Sequence, residues 1–175
     1  MPKRILRFGA VLVMATAAAL VTACNNSKSI VDEKTLNARV EVGAAVRIAE
    51  LTNRSNGTAC VLFPYASDIE IDERNPDAEA LNAHLRQTGF MGEEMQWAIV
   101  IKSEAGVEVH RIDRSRRLDL MSPSDIIRLE LHQRLPSQFV PSDGYVIPFC
   151  LPLATAAVTK VQGGDRAYVV FGKVE

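Results

Sequence analysis

The sequence predicts a mainly β protein: an antiparallel β-sandwich with one inserted helix near residues 75–89. Two observations lead to this fold class. Apolar and polar residues alternate over several short segments separated by Gly, Asn and Pro, whereas only one segment has helical spacing. Roughly eight strands at hairpin spacing, without a βαβ rhythm, favour an immunoglobulin-like or transthyretin-like sandwich. A small β-barrel is the alternative.

The first predicted hairpin joins residues 40–49 to residues 58–63. Apolar residues alternate with other residues over 40–49, as expected for a strand with one buried face. Residues 53–57 end in Asn-Gly, which tolerates the positive φ of a tight turn. Residues 58–63 follow as a short apolar strand.

Residues 75–89 form the predicted helix. Asn75 suits the cap, Pro76 the first position and Gly89 the left-handed residue that ends a helix. Leu81 and Leu85, four residues apart, give one apolar stripe. We expect the helix to cover one end or edge of a sheet.

The remaining predicted strands follow in order. Residues 95–102 are apolar on both faces around Trp97, which indicates a central strand, and residues 107–112 pair back on them. Alternation predicts a strand over 125–132. The prolines around residues 145–151 favour an edge strand there. Residues 154–161 and 166–174 flank a Gly-Gly turn and form the last hairpin.

Composition limits the protein class. The chain has 175 residues, 47% of them hydrophobic and 23% charged. These proportions are globular and exclude a disordered, collagen-like or coiled-coil chain. The net charge of −1 gives no indication of a nucleic-acid binder.

The first 24 residues have the features of a targeting segment. An uncharged run from Phe8 to Val21 is shorter than the ~20 residues that span a bilayer. It ends in Val21-Thr22-Ala23-Cys24 and is followed by polar residues. The cations that precede the run are Lys3, Arg4 and Arg7.

This segment resembles the bacterial lipoprotein precursor, whose signal ends in an aliphatic residue, two small residues and an obligatory Cys. The resemblance covers residues 1–24 and departs from the commonest pattern only in having Val21 instead of Leu. It implies lipid acylation of Cys24, such as palmitate, and cleavage after Ala23. With Asn25 after the Cys, it implies sorting to the outer membrane, at its periplasmic face. The alternatives are a plain secretory signal and a retained membrane helix.

The resemblance divides the chain into three parts. Residues 1–23 are the expected signal peptide, residues 24–37 the lipidated Cys with a polar tether, and residues 38–175 a single β-sandwich domain.

Cys60 and Cys150 are the cysteines that remain for the exported domain. In an oxidising compartment, two cysteines predict one disulfide. Its long loop would destabilise the unfolded chain by ~4 kcal/mol. The alternative is a pair of separate buried thiols.

No catalytic signature occurs in the sequence. The motifs of zinc proteases, α/β-hydrolases and β-lactamases are all missing, so we expect no catalytic residues. His84, His110 and His132 lack metal-ligand spacing and are predicted to be exposed, so we also expect no metal and no cofactor. An acidic run is interpreted as a charged edge strand, with a calcium site as the alternative. Its members are Asp68, Glu70, Asp72 and Glu73.

Four arginines form the candidate contact surface. Arg111 lies in the predicted strand 107–112 and the other three follow that strand. Guanidinium groups bind carboxylates and phosphates. The alternative is an ordinary solvated exit from the hairpin. Residues 139–145 are the second candidate: they either form an exposed apolar binding loop or cover the end of the sandwich. The arginines are Arg111, Arg114, Arg116 and Arg117.

These features together favour a non-enzymatic protein-binding module of the envelope. The acylated chain with a disulfide-linked sandwich is similar in architecture to periplasmic immunity-type lipoproteins, which inhibit toxins delivered by secretion systems. We expect a membrane contact through the lipid anchor, a protein partner and no nucleic acid. The alternatives are a structural lipoprotein of an envelope-spanning secretion machine, a hydrolase of cell wall or glycan, and a small-ligand-binding lipoprotein.

Overall fold

A computed structural model describes residues 31–71, 73, 75–122, 125–126, 130–141 and 149–175. Within them the helices and strands follow one another in this order: α1 Glu33–Arg39, β1 Ala45–Arg47, α2 Ile48–Thr52, β2 Thr58–Leu62, α3 Ala78–Gln87, β3 Gln96–Ser103, β4 Gly106–Asp113, β5 Leu118–Leu120, a 3-10 helix Leu131–Arg134, β6 Phe139–Pro141, β7 Phe149–Pro152, β8 Ala156–Gly163 and β9 Arg166–Val174.

The strands form two sheets, which confirms a mainly β protein. The first sheet has the order β1-β8-β9-β5, and β6 also pairs with β9. The second sheet has the order β4-β3-β2-β7. The strands pair antiparallel except β5, which runs parallel to β9. β5 and β6 lie end to end along the same edge of β9, at residues 167–169 and 172–174.

The main hydrophobic core lies between the two sheets. Trp97, Ile99 and Ile101 of β3 belong to the same buried cluster as Val158 and Phe171 of the other sheet. The outer faces are also covered, because one further cluster packs α3 on β2 and β3 and another lies against β8 and β9. β3 is therefore buried on both faces, as its continuous apolar run predicts.

The expected strand over residues 40–49 is wrong for most of its length. The strand that forms there is β1, which pairs with β8, and Val42 adds one isolated parallel bridge to Lys160. The predicted hairpin with β2 does not form. Leu36 and Val40 are fully buried, four residues apart, and Ile48 and Leu51 are buried three apart. Helical spacing is therefore what brings these side chains into the core.

The folded domain begins before residue 38. Asp32 caps α1, because its Oδ1 accepts a hydrogen bond from Thr35 N at 2.7 Å. Val31 and Leu36 are fully buried in the main core. Residues 31–37, which the sequence assigns to the tether, thus belong to the packed domain.

The predicted helix forms, but it is shorter and lies elsewhere on the sheet. It begins at Ala78, and Asn75 does not cap it: the Asn75 amide donates to Glu70 O at 3.0 Å. Gly89 ends it at φ +66°, with Gly89 N and Phe90 N donating to Arg86 O and Leu85 O. The helix covers the outer face of the second sheet, not its end or edge.

The expected strand over residues 125–132 is also wrong where it is described. Asp125 and Ile126 are helical, and Leu131–Arg134 is a 3-10 helix; residues 127–129 lie outside the described residues. The Ser122 hydroxyl donates to Asp125 Oδ2 at 2.7 Å and accepts from Asp125 N. These local bonds favour a helical turn over an extended strand.

The acidic run is not an edge strand in its described part. Asp68, Glu70 and Glu73 are exposed in irregular backbone, and Asp72 lies outside the described residues. The buried Asn82 side chain of α3 holds this segment, since it bonds both Ile69 N and Ile69 O at 2.7 Å.

The last two predicted hairpins and the edge strand are confirmed. β3 pairs with β4 from Ser103–Gly106 onward, and β8 with β9 from Gly163–Arg166 onward. β7 pairs with β2 at the edge of its sheet, although residues 142–148 before it lie outside the described residues. Of the second candidate segment, Phe139 is buried in β6, as expected if the segment covers the end of the sandwich, and its residues 142–145 lie outside the described residues.

Cys60 and Cys150 form the predicted disulfide. They stand directly opposite each other on β2 and β7, with an S–S distance of 2.07 Å. The bond indicates an oxidising location outside the cytoplasm. Among the described residues, no helix is both long and apolar enough to cross a membrane.

Candidate functional site

Arg114, the centre of the predicted arginine cluster, is held in an ion pair. Its Nε and Nη2 donate to the two carboxylate oxygens of Asp119 at 2.7 and 2.8 Å. Asp119 is only 5% exposed and also accepts from Arg166 at 3.4 Å. These hydrogen bonds raise the pKa of Arg114. Arg114 is therefore not a free contact for a partner.

Arg114 also connects the end of β4 to the loop before β3. Its Nη1 donates to Glu94 O at 2.8 Å, and its backbone N donates to Met95 O at 2.8 Å. The side chain thus positions residues 94–95 while its charge is neutralised by Asp119.

Arg111 lies on the outer face of β4, where it covers Phe90. Its guanidinium stands 4.4 Å from the ring centroid, a cation–π geometry. Arg111 Nη1 also donates to Gln96 Oε1 at 3.3 Å and lies 3.7 Å from a Glu93 oxygen.

Arg116 and Arg117 are exposed at the turn between β4 and β5. We call residues 115–117 the arginine tip. Ser115 Oγ accepts from Arg117 N and Leu118 N, which shapes this turn. None of the ion pairs between described residues involves Arg116 or Arg117. The cluster therefore divides into Arg111 on a sheet face, Arg114 in an ion pair and two exposed cations.

Beside Arg111 lies an exposed apolar surface that sequence reasoning missed. Among the described residues, five large hydrophobic side chains are strongly exposed, and three of them lie on the adjoining loops 63–66 and 90–95: Tyr65 at 66%, Met91 at 70% and Met95 at 58%. With the half-buried Phe90, they form what we call the aromatic–methionine patch. No sequence signal indicated it, because the exposure of a loop residue depends on segments that are distant in sequence.

The two loops of the patch are joined by backbone contacts. Tyr65 N donates to Glu93 O at 3.3 Å, and Gly92 N donates to Ser67 Oγ at 3.0 Å. A Cβ at Gly92 would lie 2.5 Å from Ala66 O, so only glycine permits this approach.

Tyr65 occupies a turn position that favours glycine. Ala66 N donates to Phe63 O at 3.0 Å across a turn whose inner residues are Pro64 and Tyr65. Tyr65 has φ +67°, as at the third position of a type II turn. Partial desolvation of its hydroxyl and a hydrogen bond to Glu94 raise the pKa of Tyr65.

The patch is a surface, not a pocket. The depression lined by Phe63, Phe90 and Arg111 has a volume of about 10 Å³, which is room for about one water molecule. A small-molecule site usually needs several hundred Å³. The geometry at this place therefore suits a macromolecular contact better than a metabolite.

His110 is buried, which contradicts its predicted exposure. It shares a face of β4 with Glu108 and Ile112, and Ile112 belongs to the main core. His110 is 3% exposed, and its Nε2 lies 3.5 Å from Glu108 Oε2. Glu108 also accepts from Arg54 Nε at 2.9 Å. Burial lowers the pKa of His110, although the Glu108 carboxylate opposes this shift.

The structure does not bring His84 to His110. His84 lies half-buried on α3, and the side chain of His132 lies outside the described residues. The described residues contain no group of three or more His, Cys, Asp or Glu side chains that could hold a metal ion.

We expect the domain to lose stability as the pH falls below about 6.5, the ordinary pKa of His. The folded state disfavours protonated His110, so the unfolded chain binds more protons between the two pKa values. The free energy of unfolding should fall through this window and level off below the folded pKa. Urea unfolding from pH 7.5 to 5 measures it. His110→Gln should flatten the dependence and His84→Gln should not; equal slopes in both variants would exclude His110 as the source.

Comparisons of the chain with protein-family models, with curated proteins and with solved structures find no match.

Proposed function

We propose that the protein is a non-enzymatic module that binds a protein partner through the aromatic–methionine patch. Tyr, Phe, Met and Arg are the residue types enriched in protein–protein interfaces. The patch combines all four, since Arg111 stacks on Phe90 beside Met91 and Tyr65 lies on the adjoining loop. Aromatic and Arg side chains also contribute most of the binding energy in such interfaces.

The observation that carries this proposal is the exposed Tyr65 ring in a left-handed conformation. A bulky residue at positive φ is an outlier, and such strain is concentrated at functional sites. Glycine would relieve the strain, and the ring is not buried in the described fold. Contact with a partner would bury the Tyr65 ring, which is exposed in the isolated domain.

The proposal places this module on a lipid anchor at Cys24, at the periplasmic face of the bacterial outer membrane. An immunity-type inhibitor of a secretion-system toxin is the role that we propose for it, because such an inhibitor acts by covering its target rather than by chemistry. We also propose that the two sheets form an immunoglobulin-like or transthyretin-like sandwich.

Photo-cross-linking tests the patch directly. We expect a photoreactive amino acid at Tyr65 or Met91 to give one protein adduct in whole cells, and the same residue at Ile71 or Val42 to give none. Ile71 and Val42 are matched controls because they are also exposed hydrophobics, at 67% and 55%, but lie outside the patch. Adducts to lipid alone, or equal adducts at all four positions, would overturn the proposal.

The captured partner allows a quantitative follow-up. Tyr65→Asn keeps a residue that tolerates positive φ while removing the ring. We expect at least about a tenfold loss of affinity for the partner, as for a hot-spot residue. The urea midpoint should stay close to that of the parent, which separates binding from folding.

The anchor has its own test. Cells that express the Cys24→Ser chain should incorporate no palmitate analogue into it, whereas the parent chain should be labelled. Labelling of the variant would show that Cys24 is not the acylated residue.

A further inference from the structure

The aromatic–methionine patch holds the exposed methionines of the domain. From residue 24 onward the chain contains three methionines: Met91, Met95 and Met121. Met91 and Met95 are strongly exposed in the patch, at 70% and 58%, whereas Met121 is 4% exposed in the cluster against β8 and β9. A reagent in solution therefore reaches the first two thioethers and not the third.

Other side chains that oxidise readily are protected. Cys60 and Cys150 are joined in the disulfide, so neither is a thiol. Trp97 is 2% exposed in the main core. Cys and Met sulfur atoms are the usual targets of biological oxidants. Within the part of the chain that the structure describes, Met91 and Met95 are therefore the side chains that an oxidant attacks first.

Oxidation changes the polarity of a methionine and leaves the backbone intact. The thioether sulfur attacks one oxygen of a peroxide, so that an S–O bond forms, the O–O bond breaks and the second oxygen leaves as water. The sulfur gives up two electrons and the peroxide accepts them. The product is a polar sulfoxide, which disrupts interfaces that depend on methionine.

Both thioethers lie where a partner would contact the patch. Met91 lines the same small depression as Phe90 and Arg111, which form the cation–π pair. A sulfoxide oxygen at Met91 would be a new acceptor beside that guanidinium, which already donates to Gln96 Oε1 at 3.3 Å. Met95 lies at the other end of the loop 90–95. Oxidation thus replaces two apolar groups of the patch with two polar ones.

We propose that Met91 and Met95 are a reversible oxidation site whose sulfoxides weaken the binding of the partner to the patch. The inference rests on the proposed function of the patch. The disulfide indicates a compartment that the thiol reductants of the cytosol do not keep reduced. In the reverse step, two thiols of a methionine sulfoxide reductase become a disulfide and the sulfoxide oxygen leaves as water.

Peptide mass spectrometry tests the site without a partner. The chain from residue 24, with Cys24→Ser, retains every described residue and is treated with hydrogen peroxide. We expect Met91 and Met95 to gain an oxygen atom at least about tenfold faster than Met121, because a buried group reacts only when the structure opens. In urea the three rates should become similar. Equal rates in the folded protein would overturn the assignment of the site.

The captured partner tests the consequence for binding. Oxidised and untreated chains that carry a photoreactive residue at position 65 are mixed with untreated partner, so that peroxide modifies this chain alone. We expect oxidation to lower the yield of adduct about fivefold or more, the loss typical of an important interface residue. Methionine sulfoxide reductases, one for each sulfoxide epimer, should restore the yield. A loss that persists after both sulfoxides have been reduced would contradict the proposal.

Met91→Leu/Met95→Leu tests whether these two residues carry the response. Leucine is apolar and similar in volume but has no sulfur to oxidise. Each variant is compared with itself, with and without peroxide. The double variant should not respond, and the matched control Met121→Leu should respond as the parent does. A response of the double variant equal to that of the parent would overturn the proposal.

Failure of this inference is distinct from failure of the proposed function. An adduct that peroxide does not weaken, although Met91 and Met95 are oxidised, would contradict this inference alone. The absence of any adduct from the untreated parent would contradict the proposed function, and the inference with it.

Discussion

Replacing both Cys60 and Cys150 by alanine should lower the free energy of unfolding by about 4 kcal/mol. The disulfide joins residues 90 positions apart, so it removes much of the freedom of the unfolded chain. It also ties the edge strand β7 to β2, beneath the apolar cluster that α3 covers. Urea unfolding of the purified domain, followed by circular dichroism, measures the loss.

Two controls separate the bond from the loss of thiols. Cys24→Ser removes a sulfur outside the described domain and should not change the unfolding midpoint. Reduction of the parent protein should reproduce most of the effect of the double variant. A double variant as stable as the oxidised parent would contradict the expected contribution of the disulfide.

Asp119→Ala should destabilise the domain by about 2–3 kcal/mol. Asp119 is nearly buried and bonds Arg114 through both oxygens, so its removal leaves a partly buried guanidinium without its carboxylate. The expected loss is below the 3–5 kcal/mol of a fully buried pair, because the Arg114 side chain is 30% exposed. The variant should also weaken cross-linking from Met91, since Arg114 positions residues 94–95.

Asp113→Ala is the matched control for this variant. Asp113 is exposed at the end of β4 and accepts from Gln96 Nε2 at 2.8 Å. Its loss should cost less than about 0.5 kcal/mol. A double-mutant cycle of Asp119→Ala with Arg114→Ala should give a coupling above about 1 kcal/mol. A coupling near zero would show that the ion pair does not stabilise the fold.

Local pattern alone determined the central part of this fold. The apolar run of β3, the turn glycines of the two long hairpins and the helical spacing of Leu81 and Leu85 each describe what a segment buries. Each of these patterns lies within a few residues, so it predicts the local structure even when the partner segments are not known. The disulfide was predicted in the same way, from two cysteines and their compartment.

Pattern misled where two periodicities overlapped. Residues 40–49 alternate as a strand does, yet Val40 also stands four residues from Leu36, and Ile48 three from Leu51. Packing of these side chains in the core favours the helices α1 and α2 over one continuous strand. Tertiary packing also determines where β5 and β6 form. A strand of three residues is too short for its sequence to show a clear alternation of apolar and polar side chains.

The candidate site shows the same division. The sequence by itself determined that four arginines lie close together at the end of one strand. Only the tertiary structure decided that Arg114 meets Asp119, that Arg111 covers Phe90, and that Tyr65 stands beside loop 90–95. The physical reason is distance along the chain: Tyr65 and Glu93 become neighbours because β2 and β3 pair, and no local pattern reports which side chains a completed sheet leaves exposed.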